Sequence, residues 1–136
     1  MKSLFVDTFY LIALSNPRDQ WHVPALAFGE SLTDCRLYTV DEVLAEFLTF
    51  CSTAGAHVRT KAVETIRDAL RDPQWMIFPQ SRASFLEALT LYAARPDKEY
   101  SLTDCLSMQV MRREGLTDVL TNDHHFTQEG FHILFP

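Results

Sequence analysis

Short apolar runs alternate along this chain with longer segments whose apolar residues recur every three or four positions. The short runs are Leu4-Phe5-Val6, Leu37-Tyr38-Thr39-Val40, Trp75-Met76-Ile77-Phe78, Asp118-Val119-Leu120-Thr121 and His132-Ile133-Leu134-Phe135. Their nearly continuous apolar character predicts parallel strands buried on both faces. Between them the period is helical. Thr8 opens a short helix, Phe9 to Leu14, which Ser15-Asn16-Pro17 breaks. A second helix is expected from about Arg18 to Leu32, with Trp21, Ala25, Leu26 and Phe28 on its apolar side and Pro24 disturbing its first turns. Residues 41–53 place Val43, Leu44, Phe47, Leu48, Phe50 and Cys51 on one packed face. Residues 57–70 do the same with Val58, Ala62, Ile66, Ala69 and Leu70, and residues 81–94 turn Phe85, Leu86, Leu89 and Tyr92 inward. The last long helix, 102–113, stops at Glu114-Gly115, and residues 126–130 connect to the final strand.

Strand–helix alternation of this kind predicts an α/β fold with a mostly parallel, five-stranded sheet covered by helices on both faces. Ligand sites in such sheets lie beyond the carboxyl ends of the strands. Asp7 falls just past the first strand and Asp123 just past the fourth. If those strands are neighbours, both acids project into one crevice.

Composition narrows the class. The chain has 136 residues, of which 47 % are hydrophobic, enough for one domain (1–136) with a real core and too many for disorder. No apolar run approaches the roughly 20 residues of a membrane span. The N-terminus reaches Asp7 too soon for a signal peptide, so a cytoplasmic protein is expected. Cys35, Cys51 and Cys105 form no CxxC pair and read as free, partly buried thiols. A formal net charge of −6 argues against a broad basic face for nucleic acid. It leaves room for a nuclease whose acidic cluster holds divalent cations, because the cations create the local positive field.

Each acid has a plain alternative. Asp7 could cap the helix that Thr8 begins. Thr39 and Glu42 have the T-x-x-E spacing of a capping box, which gives Glu42 a structural task. Glu46, one turn on in Val43-Leu44-Ala45-Glu46-Phe47-Leu48, has no such task and no cationic neighbour at i±3 or i±4. Asp104 stands three residues after a possible N-cap, Ser101, where it would also favour the helix dipole. Asp123 could belong to an ordinary polar turn. His124 and His125 are adjacent and point apart, so histidine-bound zinc is not expected. Clustering would have a purpose in phosphodiester hydrolysis, where Mg²⁺ or Mn²⁺ needs an oxygen cage. At about 5 Å and an effective dielectric near 20, two bare carboxylates repel by roughly 3 kcal/mol, so an idle cluster is costly.

In this order V-D-T at 6–8, L-A-E-F-L at 44–48, S-L-T-D-C at 101–105, L-T-N-D-H-H-F at 120–126 and then Glu129-Gly130-Phe131 resemble the PIN domain, and more closely the VapC-type ribonuclease toxins and small stand-alone PIN proteins. The resemblance covers essentially the whole chain. It implies a three-layer α/β/α fold and Mg²⁺- or Mn²⁺-dependent cleavage of RNA. The family's four acids fall on Asp7, Glu46, Asp104 and Asp123, all implied metal-binding and catalytic. Thr8, Thr103, Thr121 and Asn122 fall on the supporting polar positions. The resemblance also implies a small antitoxin partner and a homodimer, for which apolar side chains near Tyr10, Trp21 and Phe28 would suit as contacts or as core. Arg95, Lys98, Arg112 and Arg113 are candidates to guide the RNA backbone or plain surface charges.

Other readings remain. A non-catalytic PIN-like module binding RNA or protein, or a PIN nuclease with a housekeeping role in RNA processing, would carry much the same motifs. A response-regulator receiver domain would want an acidic pair after the first strand and a lysine after the fifth; Thr8 and Phe135-Pro136 stand there. A haloacid-dehalogenase-type phosphatase would want an aspartate where Phe9 is.

Overall fold

The computed structural model describes residues 1–136. The first strand, β1 (Lys2–Val6), leads into α1 (Thr8–Ser15) and α2 (His22–Glu30). Next come β2 (Cys35–Val40), α3 (Asp41–Cys51), α4 (Ala56–Arg71) and β3 (Trp75–Phe78). The chain continues through α5 (Arg82–Ala94), α6 (Leu102–Arg113), β4 (Asp118–Leu120), α7 (His124–Gln128) and β5 (His132–Ile133). All strand pairs are parallel, in the order β3-β2-β1-β4-β5. The protein is thus α/β with an all-parallel sheet, as the apolar runs predict. Right-handed crossovers place α1 to α4 on one face and α5 to α7 on the other.

Strand order decides where a crevice can open. From β1 the chain steps outward through β2 and β3, then returns across the sheet to β4 on the other side of β1. Phe5 pairs with Val119 and Val6 with Leu120. The β1/β4 seam is therefore the switch point, where helices diverge to opposite faces and leave a crevice. Leu4, Phe5 and Val6 are completely buried, as are Val119 and Leu120. The seam is the centre of the core, and its carboxyl end opens at Asp7 on one strand and Thr121 to Asp123 on the other.

Several local expectations need correction. The second helix starts at His22, not Arg18, because Pro24 is tolerated only in a first helical turn. Thr39 and Glu42 form no capping box: Thr39 is buried on β2 and its Oγ1 donates to the Val6 carbonyl at 2.8 Å, which ties β2 to β1 instead. In α3, Leu48 and Phe50 are exposed, and the packed face is Val43, Leu44, Phe47 and Cys51. In α4, Leu70 is exposed and Val58 only partly covered, while Ala62 and Ala69 are buried. The face of α5 is reversed. Phe85, Leu86, Leu89 and Tyr92 are exposed, and Ser84, Ala88 and Leu91 are buried. Small residues let α5 approach its neighbours closely, which outweighs the size of the apolar side chains on the other faces.

Other expectations are met. Gly115, with φ +70°, ends α6 in a Schellman motif: Leu116 N donates to the Met111 carbonyl at 2.8 Å and Gly115 N to Arg112 at 3.2 Å. All three cysteines are free and buried. The segment 126–130, expected as a plain connection, differs: its first three residues complete the short helix α7 that starts at His124, and Glu129 and Gly130 turn out of it. Tyr10 is buried in the core, and Trp21 and Phe28 are half-buried against it. Together with Phe9 they surround Phe135, with ring centroids 5.5–5.9 Å from it.

Candidate active site at the carboxyl edge of the sheet

Asp7 sits at the N-cap position of α1 and makes no side-chain cap bond to that helix. Its Oδ2 accepts a hydrogen bond from Thr121 Oγ1 at 2.8 Å, across the β1/β4 seam. Only 7 % of the residue is exposed, and no cation stands beside it. Burial pushes its pKa up from 3.8 to about 7, against the lowering effect of the Thr121 hydroxyl and the Thr8 amide. Asp104 and Glu46 stand close enough for their negative charges to raise it further. The helix-cap alternative therefore does not describe what this carboxylate does.

Thr121 has two tasks. It is completely buried, and its Oγ1 also accepts from the Asp123 backbone amide at 3.2 Å. One hydroxyl thus orders Asp7 and the loop that carries Asp123. Valine keeps the shape and removes the hydroxyl. Thr121→Val is expected to cost about 1.5–3 kcal/mol in chemical denaturation at pH 8, since an ionised buried carboxylate loses its donor. The same variant should lose less at pH 5, where Asp7 is protonated; an equal loss at both values would show that Thr121 acts by packing alone.

Asp104 comes from the first turn of α6. Ser101 Oγ accepts from the Asp104 amide and Asp104 Oδ2 from the Ser101 amide, both at 3.0 Å, which is a full capping box. The cap fixes the carboxylate without using it up, as each oxygen has two lone pairs. Burial raises the Asp104 pKa, the Ser101 bonds lower it, and the Asp123 charge raises it again. Asp123 caps α7, its Oδ1 accepting from the His125 amide at 2.9 Å. Glu46 is solvent-exposed on α3, near enough for Asp7 to feel its charge. Thr8 is buried, and its Oγ1 has no hydrogen-bond partner. Thr103 and Asn122 are half-buried next to Asp104 and Asp123.

His125 lies among these acids, a placement that the sequence argument against adjacent histidines missed. Its Nδ1 is 3.2 Å from Asp123 Oδ1 and 3.4 Å from Asp104 Oδ2. Adjacent histidines do point apart, so His124 is exposed, but one of the pair still faces the crevice.

A second cluster explains the cations. Glu129, with its side chain 4 % exposed, accepts from Arg95 Nη2 and Arg112 Nη2 at 2.8 Å and from Tyr100 OH at 2.8 Å. Burial alone would raise its pKa, but these bonds win and hold it at about 2. Arg95 and Arg112 are therefore paired to Glu129, with about two-fifths of each side chain still exposed. Lys98 stands by Asp97, and Arg113 by Glu114 and over the Phe78 ring. Tyr100 places its ring edge-on to His125, with centroids 5.5 Å apart. The Glu129 network thus props the imidazole from behind.

The donor set suits a hard divalent cation. Asp104 and Asp123 come together with His125, while Asp7 and Glu46 stand outside that close group; Asp7 feels the charges of Glu46 and Asp104, is buried without a counter-ion, and has an unpartnered buried threonine hydroxyl next to it in the chain. Ligand atoms of Asp104, Asp123 and His125 lie within 4.8 Å of one another, close enough for one ion to bridge them after small adjustments.

Comparisons with known proteins agree with this fold. The family model described as PIN domain matches residues 4–131. Among solved structures, the chain is similar to VapC20 of Mycobacterium tuberculosis, a sarcin-ricin loop cleaving toxin, at 26 % identity and a TM-score of 0.82, covering 94 % of this chain and 95 % of that one. FitAcB from Neisseria gonorrhoeae is similar at 18 % identity and a TM-score of 0.69, over 96 % and 95 % of the two chains. A DNA-bound VapBC from Salmonella typhimurium gives 14 % and 0.65, over 98 % and 97 %. Curated proteins gave no match. With the family's model spanning nearly all of the sheet and helices, this chain belongs to the PIN domain family.

Proposed function

We propose that this protein is a divalent-metal-dependent endoribonuclease, the toxin of a toxin–antitoxin pair, with Asp7, Glu46, Asp104 and Asp123 as its metal-holding, catalytic acids. One observation carries the reading: a buried aspartate without a cation partner stands at the β1/β4 switch point, within the fields of two further acids. Likeness to a toxin that cleaves the sarcin-ricin loop supports RNA as the substrate class.

Bound Mg²⁺ or Mn²⁺ supplies Lewis-acid polarisation and a more acidic water. The chain's own residues supply the rest. Asp7 offers a carboxylate held by Thr121, so its orientation is set before any ligand arrives. Asp104 and Asp123 are fixed by helix caps, and Glu46 extends the negative wall from α3. Thr8, Thr103 and Asn122 add polar groups at the rim. Mg²⁺ and Mn²⁺ both fit the oxygen donors.

Antitoxin, homodimer and a cytoplasmic location belong to the same proposal. The VapBC structures from Rickettsia felis and Salmonella typhimurium are DNA-bound complexes, which supports a small partner here. Exposed Phe85, Leu86, Leu89 and Tyr92 on α5 offer apolar surface to a second chain. No helix is long and apolar enough to cross a membrane. Incubating the pure protein with a labelled RNA pool is the direct test. Cleavage with Mn²⁺ that stops with EDTA is expected; RNA left intact under both conditions would favour the non-catalytic module.

A further inference from the structure

The seat of His125 points beyond the four acids. Its Nδ1 is buried and has no hydrogen-bond partner, although two carboxylate oxygens stand 3.2 and 3.4 Å away. A buried imidazole nitrogen close to acceptors and bonded to none of them is costly unless something else engages it. The distances suit a shared cation. Ligands at neighbouring corners of an octahedron with bonds of about 2.1–2.2 Å lie roughly 3 Å apart.

The surroundings hold these three groups in place by other means. Ser101 fixes Asp104, the His125 amide fixes Asp123, and Tyr100, anchored by Glu129, supports the ring. None of these supports uses Nδ1. A ring backed by Tyr100, with its Nδ1 turned toward two carboxylates and bonded to neither, is arranged as a metal ligand is arranged, with its orientation set by an outer contact.

We propose that His125 Nδ1 is a direct ligand of the cation held between Asp104 and Asp123, and that this nitrogen makes the site favour Mn²⁺ and later first-row ions over Mg²⁺. Imidazole suits transition ions, whereas Mg²⁺ demands oxygen and gives up its waters reluctantly. The inference rests on the divalent-metal reading above and narrows it.

Electron spin-echo modulation of Mn²⁺ bound to the full-length protein reads the ligand directly. Nitrogen-14 modulation is expected, replaced by the nitrogen-15 pattern after ¹⁵N-histidine labelling. His124→Ala should leave it and His125→Ala remove it. Calorimetric titration should show His125→Ala weakening Mn²⁺ by about tenfold, or about 1.4 kcal/mol, with Mg²⁺ almost unchanged. Because the wild-type spectrum decides the matter, a variant that fails to fold does not obscure it. Mn²⁺ bound without histidine modulation would overturn the role of His125 and leave the acidic site standing. Failure of the wild type to bind either ion would overturn both.

Discussion

Asp7→Asn should reduce Mn²⁺-dependent RNA cleavage to the level seen with EDTA and, at the same time, raise the melting temperature of the metal-free protein. The two effects have one cause. Asparagine can still accept from Thr121, so the local hydrogen bond survives. What disappears is a charge that the fold buries without a cation. The folded carboxyl keeps its proton up to about pH 7, whereas an unfolded one releases it near 3.8. Between those values the folded state binds more protons, so stability is full below about pH 4 and falls as pH rises through 7. The rise from 3.8 to about 7 corresponds to about 4 kcal/mol at most. Metal-free wild type should therefore lose stability from pH 4 to 8 by more than Asp7→Asn does. Saturating Mn²⁺ should reverse the order, since a ligand at about 100 times its Kd adds about 2.7 kcal/mol to the state that binds it. A metal-free variant that melts well below wild type at pH 8 would make Asp7 a structural residue.

Phe135→Ala is expected to be the most damaging single truncation away from the acids. The ring is 5 % exposed and touches Phe9, Tyr10, Trp21 and Phe28, so its removal strips one wall from four aromatic side chains. Large-to-small changes of this kind cost about 3–5 kcal/mol. In a domain of this size that is a fall of roughly 10–20 °C in Tm. Leu86→Ala on the exposed face of α5 is the matched control and should cost far less. The effect should also reach the crevice, because the Phe135 amide donates to the Thr121 carbonyl at 3.2 Å. Urea denaturation of both variants decides it; a Phe135→Ala cost below about 1 kcal/mol would mean the cluster repacks without it.

What the sequence made legible was whatever depends on short-range pattern. The buried strands show as unbroken apolar runs because both faces of a central parallel strand are covered. Glu46 stood out because nothing within a turn gave it a structural task. The failures are of another kind. The inward face of α5 was hidden because that helix is apolar nearly all round, and close packing chose Ser84 and Ala88 over Phe85 and Leu86. Thr39 has the spacing of a cap, yet its hydroxyl is bound by a strand that lies 33 residues earlier. Arg95 and Arg112 looked free because Glu129 lies 34 and 17 residues away. His125 was dismissed with its neighbour, although a helix turns the two side chains to different sides. In each case a partner distant in the chain decided the outcome.

The order of strands in the sheet has a consequence in time. A ribosome releases β1, β2 and β3 with α1 to α4 first, and these carry only Asp7 and Glu46. The donor that orients Asp7 is Thr121, 114 residues later, which at roughly 5–20 residues/s is a delay of roughly 6–23 s. Asp104 comes 97 residues after Asp7, and Asp123 comes 116 residues after it. If the protein cuts RNA as proposed, no nascent fragment short of α7 holds a complete blade. The machine that makes this nuclease works beside a harmless chain until the last acid has emerged and β4 has slotted in next to β1.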